Sequence, residues 1–293
     1  MVGRHAVDGV DPSTHVGTLD VREGRVVIPM ADENPIDRLP IVTLLLIVAC
    51  IVVYFAVQPT GAPDIDFTGV VERVDQDDLR FVVDNAAIPC ELIELRPLTE
   101  REYDETFNGD DRSACGDDEG RAHSPGKVVL LGVLVTMFLH GSVAHLFGNM
   151  LFLWVFGNNV ESRRGWWRYL LLYVLGGVAA TVAHVAIDPQ STVPVVGASG
   201  AIAAIMGAYL VCWPTARVKT IIFIGPVLLR KVEAIWLLLV WLGTQFLLVG
   251  GDSEIAWAAH VGGFAFGVLV GLWWRRTDAR AGAALPGPAT APA

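Results

Sequence analysis

The chain has 293 residues, of which 53% are hydrophobic and only 18% charged, and its mean hydropathy is +0.49. Soluble globular chains carry about 25% charged residues, so this composition disfavours a soluble enzyme, a disordered chain and a nucleic-acid binder, and it points to an all-α polytopic membrane protein. The net charge of −10 is concentrated: residues 59–127 hold 18 Asp/Glu and 7 Lys/Arg, a local −11, while the rest of the chain stands at +1.

In chain order, residues 1–40 are polar and interrupted by Pro12, Pro29, Pro35 and Pro40, and they read as a cytoplasmic N-terminal tail. The first apolar run starts at Ile41, too late for the apolar core of a secretory signal peptide. Ile41 to Val57 carries no charge and reaches the short end of the spanning range. The acidic segment 59–127 follows, and within it Thr99 and Glu102 have the spacing of a capping box opening a short helix. Val128 to Leu139 is too short to span and reads as interfacial or buried. Further spans are expected at Val143 to Phe156, Tyr169 to Ile187, Ser199 to Trp213, Ala234 to Val249 and Ala256 to Trp274. Together with the first they make a six-helix membrane domain over residues 41–275, followed by a cytoplasmic tail at 276–293. Thr220 to Leu229, flanked by Lys219 and by Arg230-Lys231, is expected to lie in the interface.

Lys and Arg gather in alternate short loops: Arg163, Arg164 and Arg168, then Arg217, Lys219, Arg230 and Lys231, then Arg275 and Arg276. The loops Asp188 to Ala198 and Gly250 to Ile255 have none. The positive-inside rule therefore puts both termini in the cytoplasm and the acidic loop outside. A bacterial cell membrane is the expected location. In the exported loop Cys90 and Cys115 are expected to form a disulfide, since the compartment permits one and the loop needs a staple.

Polar side chains at membrane depth are costly and mark functional sites. His145 and Asn149 share a helix face at four-residue spacing, and Ser199 opens a span within Gly197-Ala198-Ser199-Gly200. His260 begins a stripe with Gly263, Gly267 and Gly271, which complements the small residues Gly200, Ala203, Ala204, Gly207 and Ala208. Small surfaces of this kind let helix backbones approach closely, which would bring the His260 imidazole within reach of the Ser199 hydroxyl. A serine beside a histidine base is the usual basis of acyl transfer. His145, Asn149 and the Ser199 N–H could then supply oxyanion donors. No carboxylate is placed to orient His260, the nearest being Glu254, so a Ser–His dyad is expected rather than a triad. No HExxH occurs and none of the seven His is followed by an acid, so neither a metal nor another cofactor is expected.

Three strings carry a family likeness: His140-Gly141-Ser142-Val143-Ala144-His145-Leu146-Phe147-Gly148-Asn149, Gly197-Ala198-Ser199-Gly200, and His260-Val261-Gly262-Gly263-Phe264-Ala265-Phe266-Gly267. In this order the chain resembles the rhomboid intramembrane serine proteases over roughly residues 35–275. The resemblance implies endopeptidase cleavage of transmembrane protein substrates near the outer face, with the lipid bilayer and those substrates as partners. It implies Ser199 as nucleophile, His260 as general base, His145 and Asn149 as oxyanion donors and His140 as an auxiliary polar residue. Gly197 and Gly200 frame the serine, and Gly263 and Gly267 serve helix packing. Two departures stand out. Ala203 occupies the position where well-known members carry an aromatic that stacks on the histidine, and residues 59–127 contain no Trp. The alternative is a catalytically weak or inactive member of the same fold that binds transmembrane helices. Nothing in the sequence specifies an oligomeric state.

Overall fold

A computed structural model describes residues 26–34, 36–59, 76–109, 111–116, 120–223, 227–247 and 257–280. Glu254, most of the N-terminal tail, residues 60–75 of the acidic segment and the end of the C-terminal tail lie outside them. The architecture is mainly helical and is organised around α9 (Ser199–Cys212), which is apolar on every face and buried from Gly200 to Tyr209. A helix with no polar face has to be surrounded. Here α8 (Trp166–Ile187) and α11 (Trp257–Arg280) pack along it, joined by the bend described below.

Helix α5 (Val129–Val135), ending in a 3-10 turn at Phe138, is followed by α6 (Val143–Phe152), a π-helical turn (Leu153–Gly157) and α7 (Asn158–Arg164). The two parts meet at 80°, the shape of a broken span or re-entrant loop. By length and composition α8 and α11 can cross a membrane, and this bent pair makes a third if counted as one span. Ile41–Val57, Ser199–Cys212 and Ala234–Phe246 are shorter apolar helices.

The start of α1 (Ile41–Val52) illustrates how these helices are tied together. A helix N-terminus leaves its first N–H groups without partners, and Pro40 at the cap offers no side-chain acceptor. Buried Glu161 of α7 fills the role. Its carboxylate accepts from the Val42 N–H at 2.8 Å and from both the N–H and the hydroxyl of Thr43 at 2.7 Å. A negative charge at that end also complements the helix dipole.

The segment expected to lie in the interface is extended. Residues Arg217–Phe223 (β2) and Val227–Glu233 (β3) form an antiparallel hairpin, and Val26–Asp32 (β1) from the N-terminal tail adds to the β2 edge. The run of β-branched residues Thr220, Ile221 and Ile222 favours a strand. Pro29 is tolerated because β1 is an edge strand, and the register shifts between Pro29 and Ala31. Asp32 locks this sheet to α9. It accepts from the Tyr209 hydroxyl at 2.6 Å, from Asn159 at 2.7 Å and from Asn34 at 2.9 Å. Burial pushes the Asp32 carboxyl above its ordinary range against these hydrogen bonds.

In the acidic segment, α2 (Gln76–Asn85), α3 (Pro89–Glu94) and α4 (Glu100–Phe107) gather around Val83, Ile88, Cys90 and Leu98. The capping box is formed: the Thr99 side chain accepts from the Glu102 N–H, and Glu102 accepts from the Thr99 N–H. Buried Glu102 also takes Arg96 at 2.8 Å and the Gly116 N–H at 3.0 Å. Burial alone would raise this carboxyl, but the Arg96 guanidinium and the N–H donors outweigh it and hold it at about 2. The Cys90 and Cys115 sulfurs are joined. This insert grips the loop ahead of α9: Ala87 bridges Val195, the Cys90 N–H donates to the Ser191 carbonyl at 2.9 Å, and the Thr106 hydroxyl meets that of Thr192 at 2.6 Å.

Candidate active site

Ser199 stands at the first turn of α9, where the helix has N–H groups without intrahelical partners. The approach to it is fixed on both sides. The Gly197 N–H donates to the Thr136 carbonyl at 3.1 Å, and the Thr136 hydroxyl donates to the Val195 carbonyl. Gly197 has φ +120, a conformation that side chains disfavour, and a Cβ there would lie 2.9 Å from the His145 Nε2 and 3.6 Å from the Ser199 Oγ. Both the ring and the hydroxyl therefore border the bare backbone of Gly197.

His260 reaches Ser199 because α11 lies unusually close to α9. A Cβ on Gly263 would sit 2.2 Å from the Gly200 carbonyl oxygen, and one on Gly267 would sit 1.9 Å from that of Ala204. Only helices without side chains at these positions can approach so far. The result is a 2.7 Å hydrogen bond between the Ser199 Oγ and the His260 Nε2. Such a pair can pass the hydroxyl proton to the imidazole as the oxygen attacks a carbonyl.

The opposite face of His260 contains what sequence reasoning missed. Its Nδ1 lies 2.7 Å from the Gln245 Oε1, and the Trp241 ring flanks it with centroids 5.9 Å apart at 44°. Both residues come from α10 (Ala234–Leu247). Ala203, the position that lacks the family aromatic, is fully buried within α9. The signal that could have found Gln245 was its presence, beside Thr244, as a polar side chain in an uncharged, mainly apolar run.

His145 and Asn149 both lie on α6, whose cap is Ser142: the Ser142 hydroxyl accepts from the His145 N–H at 3.1 Å. Asn149 is buried, and its amide nitrogen has no hydrogen-bond partner. An unsatisfied buried donor is costly unless something occupies it during function. His140 is fully buried beside His145, with ring centroids 5.4 Å apart. The Gln58 amide fastens the His140 backbone, accepting from its N–H at 3.0 Å and donating to its carbonyl at 3.1 Å. Among the described residues, Cys90, Glu102 and Cys115 are the one His/Cys/acid group within metal-binding reach, and the two sulfurs there are already joined. His140, His145 and His260 do not converge in that way.

The chain matches the family profile described as Rhomboid domain over residues 129–277, which contain all four of Ser199, His260, His145 and Asn149. It is 31% identical over 140 residues to "Rhomboid protease GluP" of Bacillus subtilis, covering 48% of this chain and 26% of that protein. It is 33% identical over 159 residues to "Presenilin-associated rhomboid-like protein A, mitochondrial" of Danio rerio, covering 52% and 41%. The match to "RHOMBOID-like protein 4" of Arabidopsis thaliana is 34% over 139 residues, covering 46% and 32%. The aligned part thus spans less than half the length of each of these relatives. With the profile extending over half the chain, this integral membrane protein belongs to the rhomboid family.

Proposed function

We propose that this chain is an intramembrane serine endopeptidase that cleaves transmembrane helices of membrane protein substrates by a Ser–His dyad. The observation that carries the reading is the 2.7 Å contact between the Ser199 Oγ and the His260 Nε2 at the start of a buried helix. In the reaction, Ser199 attacks the scissile carbonyl as His260 takes the hydroxyl proton. The Asn149 amide, the His145 ring and the Ser199 N–H hold the oxyanion, which accounts for the unpartnered Asn149 nitrogen. His260 then gives the proton to the leaving amine. In the second half it takes a proton from a water that attacks the acyl carbonyl and returns it to the Ser199 Oγ as the ester bond breaks, freeing the carboxylic product.

The six apolar segments, read as six spans, put the Ser199 end of α9 on the side of the acidic insert. The basic hairpin and β1 lie together at the other end, in agreement with cytoplasmic termini under the positive-inside rule. Scission near the outer face follows, and the bacterial cell membrane remains the location we favour. A helix protects its own peptide bonds, so substrates with small or helix-weakening residues at the cleavage site should react fastest.

The test is cleavage of a model transmembrane substrate by the purified chain in liposomes, wild type against Ser199→Ala. Cleavage by the wild type alone supports the reading. Cleavage by both refutes the dyad, and cleavage by neither, with the substrate helix still bound, favours the helix-binding alternative.

A further inference from the structure

We infer that Gln245 is a positioning residue for His260, holding it in the one tautomer that can accept the Ser199 proton. This rests on the dyad reading above. Gln245 is a 5% exposed polar side chain in an apolar helix, so each of its amide atoms needs a partner. The amide nitrogen lies 3.2 Å from the Trp241 carbonyl oxygen and 3.2 Å from the Thr244 hydroxyl. The Trp241 carbonyl can only accept, and it already takes the Thr244 hydroxyl proton at 2.6 Å. A flipped amide would set its oxygen against that carbonyl oxygen, so the NH2 is fixed towards Trp241 and Thr244, and Oε1 faces His260.

That orientation decides the imidazole. An amide oxygen has no proton to give, so across the 2.7 Å contact the His260 Nδ1 carries the hydrogen and donates it. A neutral imidazole with its proton on Nδ1 has its lone pair on Nε2, the atom 2.7 Å from the Ser199 Oγ. When Ser199 attacks, its proton moves to Nε2 while the Nδ1 proton stays in place. The same network sets the ring plane, because Gln245 and Trp241 occupy adjacent turns of α10 and both meet His260. A neutral amide thus performs the orienting part of the work that a carboxylate performs in a triad.

Two measurements test this. In the full chain carrying Ser199→Ala, nitrogen-15 NMR of labelled histidine, with His260→Ala identifying the signal, reads the tautomer directly. The expected result is a protonated Nδ1 and a bare Nε2, shifting towards a mixture when Gln245→Met is added. In the otherwise wild-type chain, Gln245→Met keeps the side-chain length but removes the acceptor, and it should lower kcat about tenfold with KM unchanged. A His260 protonated on Nε2 overturns the inference, as does a Gln245→Met chain with wild-type kcat. The NMR result needs no turnover, so a chain that cleaves nothing would count against the protease reading and leave the tautomer to be decided on its own.

Discussion

Replacing Gly267 with Ala perturbs the contact on which the site depends. The added Cβ would lie 1.9 Å from the Ala204 carbonyl oxygen, 2.6 Å from its carbon and 2.8 Å from its Cα, all backbone atoms of the buried helix α9. No rotamer change can relieve backbone, so α11 must retreat. Ordinary contact begins at 3.4 Å, which requires a movement of about 1.5 Å. His260 lies two turns earlier on the same helix, and a shift of that size carries its Nε2 from 2.7 Å out of hydrogen-bond reach of Ser199. Overpacking of this kind costs about 1–3 kcal/mol. Gly243→Ala is the control, since nothing lies within 4 Å of its new Cβ and an added methyl in a helix gains about 1 kcal/mol. The expected melting temperatures in detergent differ by roughly 5–10 °C between the two variants, and only Gly267→Ala should lose substrate cleavage. A Gly267→Ala chain that melts with Gly243→Ala and cleaves like wild type would refute the packing argument.

Three further outcomes are expected. Asn149→Ala and His145→Ala should each lower kcat by about 10²–10³ with little change in KM, the size of one lost oxyanion donor; equal losses in kcat and in melting temperature would point to a packing role instead. Reducing the Cys90–Cys115 disulfide, or replacing both residues with Ser, removes a closure worth about 3 kcal/mol on the chain-entropy model. Limited proteolysis should then cut the insert first, and intact resistance would argue against the staple. Glu102 is held at about 2 against an ordinary 4.5, so its stabilisation of the insert is fully present above pH 4.5 and is lost as pH falls towards 2. The stability gap between wild type and Glu102→Gln should therefore close over that window, and a gap independent of pH would contradict it.

The sequence was most legible where chemistry and periodicity coincide. Ser199, His260 and the glycines between α9 and α11 could be picked out because polar atoms and missing side chains are both anomalous in an apolar helix. Thr99 and Glu102 were readable because a capping box is a contact over three residues. Contacts between distant segments were not. The hairpin at Arg217–Glu233 gains its third strand from Val26–Asp32, nearly two hundred positions earlier, and no local pattern encodes that pairing. Gln245 was hidden for a similar reason: its partner is a ring nitrogen on another helix. With Ala203 in place of the aromatic, either another group had to orient His260 or the ring was less well held, and the sequence did not say which. Gln245 and Trp241 of α10 meet the ring from another helix.

In the proposed dyad Ser199 is a nucleophile because His260 sits beside it. A fluorophosphonate reacts with an activated serine without any need for a substrate, so the most direct measurement is mass spectrometry of the full chain in liposomes after exposure to one. The expected result is a phosphonyl adduct on Ser199 in the wild type and its loss in His260→Ala. No adduct in the wild type, or equal labelling of both chains, would contradict it.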